Sequence, residues 1–307
     1  MNVLVAGGTG FIGSTLVRRL SRDGHTVILL SRHPHSVRDL DAKLIQIEEW
    51  DGRTVGHWVD RLESVDGIVN LAGESIGARR WTEARKAVLV TSRVEPTRAL
   101  VSGVRLLKKR PAVLVNASAV GYYGDVESGD VTESHSAGND FLASLCKQWE
   151  GEAQKAEEFG IRVVRLRFGV VLEKGGGALE KMILPFRFFV GGPLGSGGQW
   201  LPWVHRDDVI GAIIFSLQSP NISGPVNVSA PDQVTMREFS RALGRTMHRP
   251  SWARVPAFVL RTVLGEMAGT VLTGQRAVPR KLEDAGYAFR YPKLNEALRA
   301  IVKWPED

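Results

Sequence analysis

The chain of 307 residues carries one cysteine, Cys146. No internal disulfide can form, and a cysteine-rich zinc cluster is excluded. Long apolar runs are missing; hydrophobic stretches are short and broken by charges, so no segment is expected to span a bilayer. Repeats and low-complexity tracts are absent. The first residues, Met1-Asn2-Val3-Leu4-Val5-Ala6-Gly7, have no basic leader and enter a strand at once. That start predicts no signal peptide and a cytoplasmic protein. Acidic residues are outnumbered 33 to 40 by lysine and arginine, giving a net charge of +7. Such a balance favours anionic partners, among them phosphorylated small molecules. The basic residues are scattered, however, and the densest run is only Lys108-Lys109-Arg110. With no nucleic-acid-binding module, a nucleic-acid partner is not expected.

What is present is ordinary globular material, 43% hydrophobic and 24% charged, enough for a large core without staples. Asn2–Ala6, Thr26–Leu30, Gly67–Ala72, Ala112–Ala117, Ile161–Leu166 and Pro225–Val228 read as strands. Helical stretches separate them. Continuous apolar strands alternating with helices predict an α/β fold, a doubly wound parallel sheet of Rossmann type covered on both faces. Residues 1–230 are expected to form this domain and 231–307 a small C-terminal lobe, with 175–200 contributing to the lobe.

Gly7, Gly10 and Gly13 fall between the first strand and the first helix in a G-x-x-G-x-x-G pattern. Such a loop turns tightly, lets backbone approach a pyrophosphate, and presents helix N–H groups to it. The strand before and the helix after supply the context the motif requires. At the end of the second strand, where an NAD site places Asp or Glu for the ribose 2′-hydroxyl, the chain has Ser31-Arg32. A hydroxyl and a guanidinium suit the 2′-phosphate of NADP instead, with His33 and Arg38 placed to assist.

Three groups of residues run in order: Gly7-Gly8-Thr9-Gly10-Phe11-Ile12-Gly13, Asn70-Leu71-Ala72-Gly73-Glu74 and Ala117-Ser118-Ala119-Val120-Gly121-Tyr122-Tyr123-Gly124. Later come Arg167-Phe168-Gly169-Val170-Val171, Leu184-Pro185-Phe186-Arg187 and Pro202-Trp203-Val204-His205-Arg206-Asp207-Asp208-Val209. Together they resemble the extended short-chain dehydrogenase/reductases of the NAD-dependent epimerase/dehydratase group, over nearly the whole chain. Arg79-Arg80-Trp81-Thr82 and the tail from Val234 resemble one atypical branch. That branch has a C-terminal domain of unknown function, and some members carry a cell-division-inhibitor label. The resemblance implies that Gly7, Thr9, Gly10, Phe11 and Ile12 cradle the pyrophosphate of NADP(H) and that Ser31 and Arg32 hold its 2′-phosphate. It implies that Leu71, Ala72 and Gly73 lie along the adenosine, with Glu74 and Arg93 near the cofactor. Gly169 and Val171 would face the nicotinamide, and Ser118 matches the catalytic serine.

One feature of the resemblance is missing. Active members carry Tyr-x-x-x-Lys on the helix after the serine strand, the lysine lowering the pKa of the tyrosine that moves the proton. The four tyrosines here are Tyr122, Tyr123, Tyr287 and Tyr291, none on the helix near 140–157. Lys147 is expected to contact the ribose, but Ala143 stands four positions before it. Three readings follow. Tyr122 or Tyr123 supplies the phenol from the loop; His205, with an unperturbed pKa near neutrality, moves the proton; or there is no turnover and the cofactor is structural or sensed. The function expected is an NADP(H)-dependent oxidoreductase or nucleotide-sugar-epimerase-like enzyme on an unidentified small molecule. The alternative is a non-catalytic NADP-binding regulatory protein.

The remainder is read more simply. Glycine clusters at 175–177 and 191–198 flank a helix over 179–190, as hinges or as surface loops. Asp207-Asp208 begins a helix and, with no third ligand nearby, is not expected to bind metal. An apolar stripe over 254–272, comprising Val255, Phe258, Val259, Leu264, Met267 and Val271, is expected to be lobe core. Peripheral membrane contact is accordingly disfavoured, and a homodimer is the one self-association considered.

Overall fold

The computed structural model describes residues 1–36 and 43–302; Arg38 lies outside them. Seven strands form the central sheet: β1 (Asn2–Ala6), β2 (Thr26–Ser31), β3 (Ile45–Glu49), β4 (Gly67–Asn70), β5 (Val113–Ala119), β6 (Arg162–Phe168) and β7 (Gly224–Val228). They are parallel, in the order β3-β2-β1-β4-β5-β6-β7. Val5 stands opposite both Leu29 and Val69, so the sheet grows in two directions from β1. The chain thus reverses its order beside β1, and in open α/β sheets ligands bind at that crevice.

The two-residue period of a strand sorts side chains to two faces. Val3 and Val5 join Leu16, Val17 and Leu20 of helix α1 (Gly13–Arg22). Leu4 and Ala6 join Trp58, Leu62 and Leu100 on the other face, the last from helix α2 (Glu83–Arg105). Each buried aliphatic side chain contributes roughly 1.5–3 kcal/mol, which is why β1 is apolar at every position from Val3 to Ala6. Helix α3 (Phe141–Gln154) starts where the Asp140 carboxylate accepts the Ala143 N–H at 2.8 Å.

Helices α4 (Gly177–Arg187), α5 (Arg206–Gln218), α6 (Met236–Thr246) and α7 (Ala257–Leu264) follow. A third core joins Leu179, Ile183 and Phe186 of α4 to Trp203, to Phe239 and Leu243 of α6, and to Leu294 and Leu298 of the terminal helix. The C-terminal part is not one lobe. Arg276–Ala277 pairs with Asp130–Val131, and the Tyr287 hydroxyl donates to the Asp208 carbonyl at 3.0 Å, so this stretch packs back on the main domain. Leu282 lies in the main core for the same reason.

The stripe over 254–272 meets the expectation of a lobe core only in part: Met267 packs on the main core, but α7 does not supply an interior face. No residue of α7 is buried, and Phe258 is 69% exposed. The lobe core is filled from α4, α6 and the terminal helix, which leaves α7 no interior to face. No helix among the described residues is long and apolar enough to cross a membrane.

Candidate cofactor cleft and active site

The glycine loop lies where β1 ends at the switch point. Gly7 has φ +77°, and a Cβ there would stand 2.6 Å from the Leu71 carbonyl group. A Cβ on Gly13 would drive into the Gly7 carbonyl. Only glycine meets both demands, and the loop closes with Gly10 N–H donating to Gly7 O at 3.1 Å. The loop opens on a cleft of about 320 Å³ lined by Gly7, Thr9, Gly10, Ser31, Arg32, Leu71, Ala72, Gly73 and Glu74. Nine residues proposed from sequence thus meet in one place.

The cleft has further walls that sequence reasoning missed. Trp50, Asp51, Gly52 and Arg53 enter from the turn after β3, and Thr91, Ser92 and Glu95 from α2. No motif marks them; the pairing of β3 with β2 brings in the Trp50–Arg53 turn, and α2 supplies the rest. The Asp51 carboxylate accepts from the backbone N–H groups of Thr54 and Arg53, bonds that hold it below the ordinary carboxylate range. It is therefore committed to its own turn. Arg53 pairs with Glu95 at 3.0 Å. Arg32 is exposed, in no ion pair among the described residues, and Ser31 accepts the His33 N–H at 3.1 Å. The glycine cradle and the arginine beside Ser31, at the strand end where an acid would repel a phosphate, fit a dinucleotide carrying a 2′-phosphate.

Five other proposed cofactor residues do not line this cleft. Phe11 lies under Gly176 and Gly177, with the Arg206 guanidinium 5.4 Å from its ring. Ile12 is the N-cap of α1 and packs on the core. Arg93 stands behind the cleft, donating to the Glu74 carbonyl at 2.7 Å and stacking on Trp149 at 5.3 Å, so it pins the Leu71–Glu74 loop. Gly169 and Val171 follow β6, where Gly169 N–H donates to Val228 O and Val171 packs on the main core.

The catalytic candidates are rearranged more deeply. Ser118 is 2% exposed and donates its hydroxyl hydrogen to Glu150 Oε1 at 2.7 Å. Arg167 grips the same carboxylate with two bonds of 2.8 Å. Held so, Ser118 presents lone pairs where a donor to a substrate oxygen was expected. The Tyr123 hydroxyl accepts from Arg167 and donates to Asn227 Oδ1 at 2.7 Å. Burial pushes its pKa up to about 12 despite the adjacent guanidinium. It is a structural phenol. Tyr122 differs: it is half-buried, its ring lies 3.5 Å from the Arg167 guanidinium carbon, and its hydroxyl has no hydrogen bond among the described residues.

Lys147 lies exposed on α3. The α3 face turned to the serine strand carries Leu142 and Cys146, one residue earlier at the same spacing. Leu142 packs under Gly121, and Cys146 is 2% exposed, 3.8 Å from the Ala119 carbonyl. Burial, with Glu150 nearby, lifts the thiol pKa to about 12, so it stays protonated. His205 is also withdrawn. It is 4% exposed, its Nδ1 accepts the Asp207 N–H at 3.0 Å to cap α5, and its ring lies 3.9 Å from Tyr291. Burial lowers its pKa, favouring the neutral ring.

A doubly wound sheet, a glycine loop at its switch point and a cleft suited to a phosphorylated dinucleotide define a nicotinamide-dinucleotide-binding protein of Rossmann type. The model of the NAD dependent epimerase/dehydratase family matches residues 3–229, and the chain belongs to that family. Residues 255–301 match a domain of unknown function. The chain is 40% identical over 303 residues to the epimerase family protein YfhF of Bacillus subtilis, covering 98% of both chains. It is 40% identical over 308 residues to a chloroplastic SDR39U1 homolog of Arabidopsis thaliana, covering 99% of this chain and 87% of the plant protein. The crystal structure of human epimerase family protein SDR39U1 with NADPH is similar over 98% of this chain and 99% of that one, with TM-score 0.84 and 33% identity.

Proposed function

We propose that the chain binds NADP(H) and acts as an oxidoreductase on a small molecule held above the C-terminal ends of β5 and β6. The observation that carries the reading is the cleft wall of Ser31, Arg32 and Arg53, with the nearby Asp51 carboxylate turned into its own loop. The human relative's structure was determined with NADPH, which supports the choice of phosphorylated cofactor.

Gly7, Thr9 and Gly10 would hold the pyrophosphate, Ser31 and Arg32 the 2′-phosphate, and Leu71 to Gly73 the adenosine. Phe11 and Ile12 support the cradle from behind; Gly169 and Val171 shape the nicotinamide end. The bound group supplies a hydride donor or acceptor. Among the residues near Ser118, Tyr122 alone has a phenol with no committed hydrogen bond, and we assign it the proton. The Arg167 guanidinium packs 3.5 Å from the centre of its ring and positions the phenol.

A second reading keeps the cofactor and drops turnover. It is favoured by Leu142 and Cys146 in place of the tyrosine and lysine, and by the committed hydrogen of Ser118. The two part in a substrate screen that follows consumption of NADPH by its absorbance. The enzyme reading predicts a carbonyl substrate whose turnover falls about 10²-fold or more in Tyr122→Phe and little in Tyr123→Phe. Turnover unchanged in Tyr122→Phe would remove it from the mechanism. No consumption across the screen, with NADPH still bound, would favour the sensing role.

A further inference from the structure

The lobe presents a surface that the cofactor cleft does not use. At the end of α4, Phe188 is 69% exposed and Phe189 is 53% exposed. Trp252, 69% exposed, donates its indole N–H to the Phe189 carbonyl at 2.9 Å, so the aromatics share one ridge. The chain at 191–195 runs beside 252–255 through Trp252 N–H to Gly191 O and Val255 N–H to Pro193 O, and α7 with its exposed Phe258 continues from there. Next to the ridge lies an open hollow of about 500 Å³ lined by Arg241, Arg245, His248, Arg249 and Ser251. Arg249 stacks on the Phe189 ring at 4.3 Å and joins hollow to ridge.

Arginine dominates the charge of this surface, with Glu238 beside Arg241 at its margin. No Asp or Glu occurs from Lys181 to Arg206, nor from Phe239 to Gly265. Those stretches hold Arg187, Arg241, Arg245, Arg249, Arg254 and Arg261; their other two cations lie elsewhere, Lys181 donating to the Gly77 carbonyl and Arg206 paired with Glu173. Arg187, Arg241, Arg245 and Arg261 make no ion pair among the described residues. The backbone adds an independent sign. Among the described residues only Phe189 (φ 61°) and His248 (φ 52°) are non-glycine residues in the left-handed region, and both border this surface. Side chains rarely adopt that conformation. Here it holds one aromatic outward and places one ring at the hollow's edge.

We propose that this arginine-rimmed aromatic ridge docks the protein on the surface of an anionic lipid bilayer. Exposed aromatics flanked by arginines match the division of an interface into acyl boundary and headgroup. A second copy of the chain is a poor occupant, because an isologous contact would set arginines against arginines. The expectation of no membrane contact rested on reading 254–272 as core; Phe258 of α7 is exposed instead, while Met267 does pack on the main core.

The test is co-sedimentation of the full chain with vesicles of phosphatidylcholine alone and of phosphatidylcholine mixed with phosphatidylglycerol, at low and high salt. The expected result is binding to the mixed vesicles only, weakened by salt. Phe188→Ser and Trp252→Ser should each lower the partition coefficient about tenfold or more. Arg241→Ala and Arg245→Ala should each lower it about fivefold. NADPH binding, retained in all four, shows that they fold. Three outcomes overturn the proposal: no dependence on the anionic lipid, vesicle-free dimers that Phe188→Ser dissociates, or saturable binding of inorganic phosphate lost in Arg245→Ala without any vesicle binding.

Discussion

At Tyr123 the phenol is buried between Arg167 and Asn227, so removing it is a stability experiment. Tyr123→Phe is expected to cost about 1–2 kcal/mol in a urea titration, with NADPH binding unchanged. Its pKa is raised from 10.0 to about 12 in the fold. The contribution is therefore complete below pH 10 and is lost as pH rises toward 12, when an unfolded phenol ionises more readily than a folded one. The wild-type stability should fall over that interval, and the Phe variant should fall less. His205 gives the opposite sign. Its pKa is lowered from 6.5 by burial, so its contribution is present above that value and lost as pH falls through the folded pKa. His205→Asn keeps an N-cap acceptor and removes the titration. It should flatten the acid limb of a thermal-stability profile, and an unchanged limb would place the acid sensitivity elsewhere.

Helix α3 shows what an element decides beyond its residues. The sequence offers Lys147 for the lysine of a Tyr-x-x-x-Lys pair, with Ala143 where the tyrosine would stand. A one-residue offset on a helix is a rotation of about 100°, and spacing alone does not say which face meets the serine strand. Packing does: Gly121 admits Leu142, and Cys146 lies against Ala119, so Lys147 points outward. The glycine loop and the sheet strands were legible because each motif there carries its own local context. The Trp50–Arg53 wall was not, since it reaches the cleft only through strand pairing. The 254–272 stripe was half legible: its periodicity shows an apolar face but not what covers it. At this scale Cys146→Lys is expected to destabilise by roughly 2–4 kcal/mol. The new ammonium would be buried beside Arg93, and Glu150 is already shared between Ser118 and Arg167. Chemical denaturation checks it; a fully stable variant would mean that the pocket can still accept the lysine of the family arrangement.

Across the whole molecule, two surfaces divide the excess positive charge. Arg32 lines the cofactor cleft, and Arg241, Arg245 and Arg249 line the hollow of the lobe. The cofactor cleft is the claim on which the rest depends. Calorimetric titration of cofactor-stripped protein with NADPH and with NADH tests it most directly, repeated on Arg32→Ala. The account predicts tighter binding of NADPH, a loss of about 1.5–3 kcal/mol for NADPH in Arg32→Ala, and little change for NADH. Equal affinity for the two cofactors in the wild-type chain, or a variant that loses both alike, would contradict it.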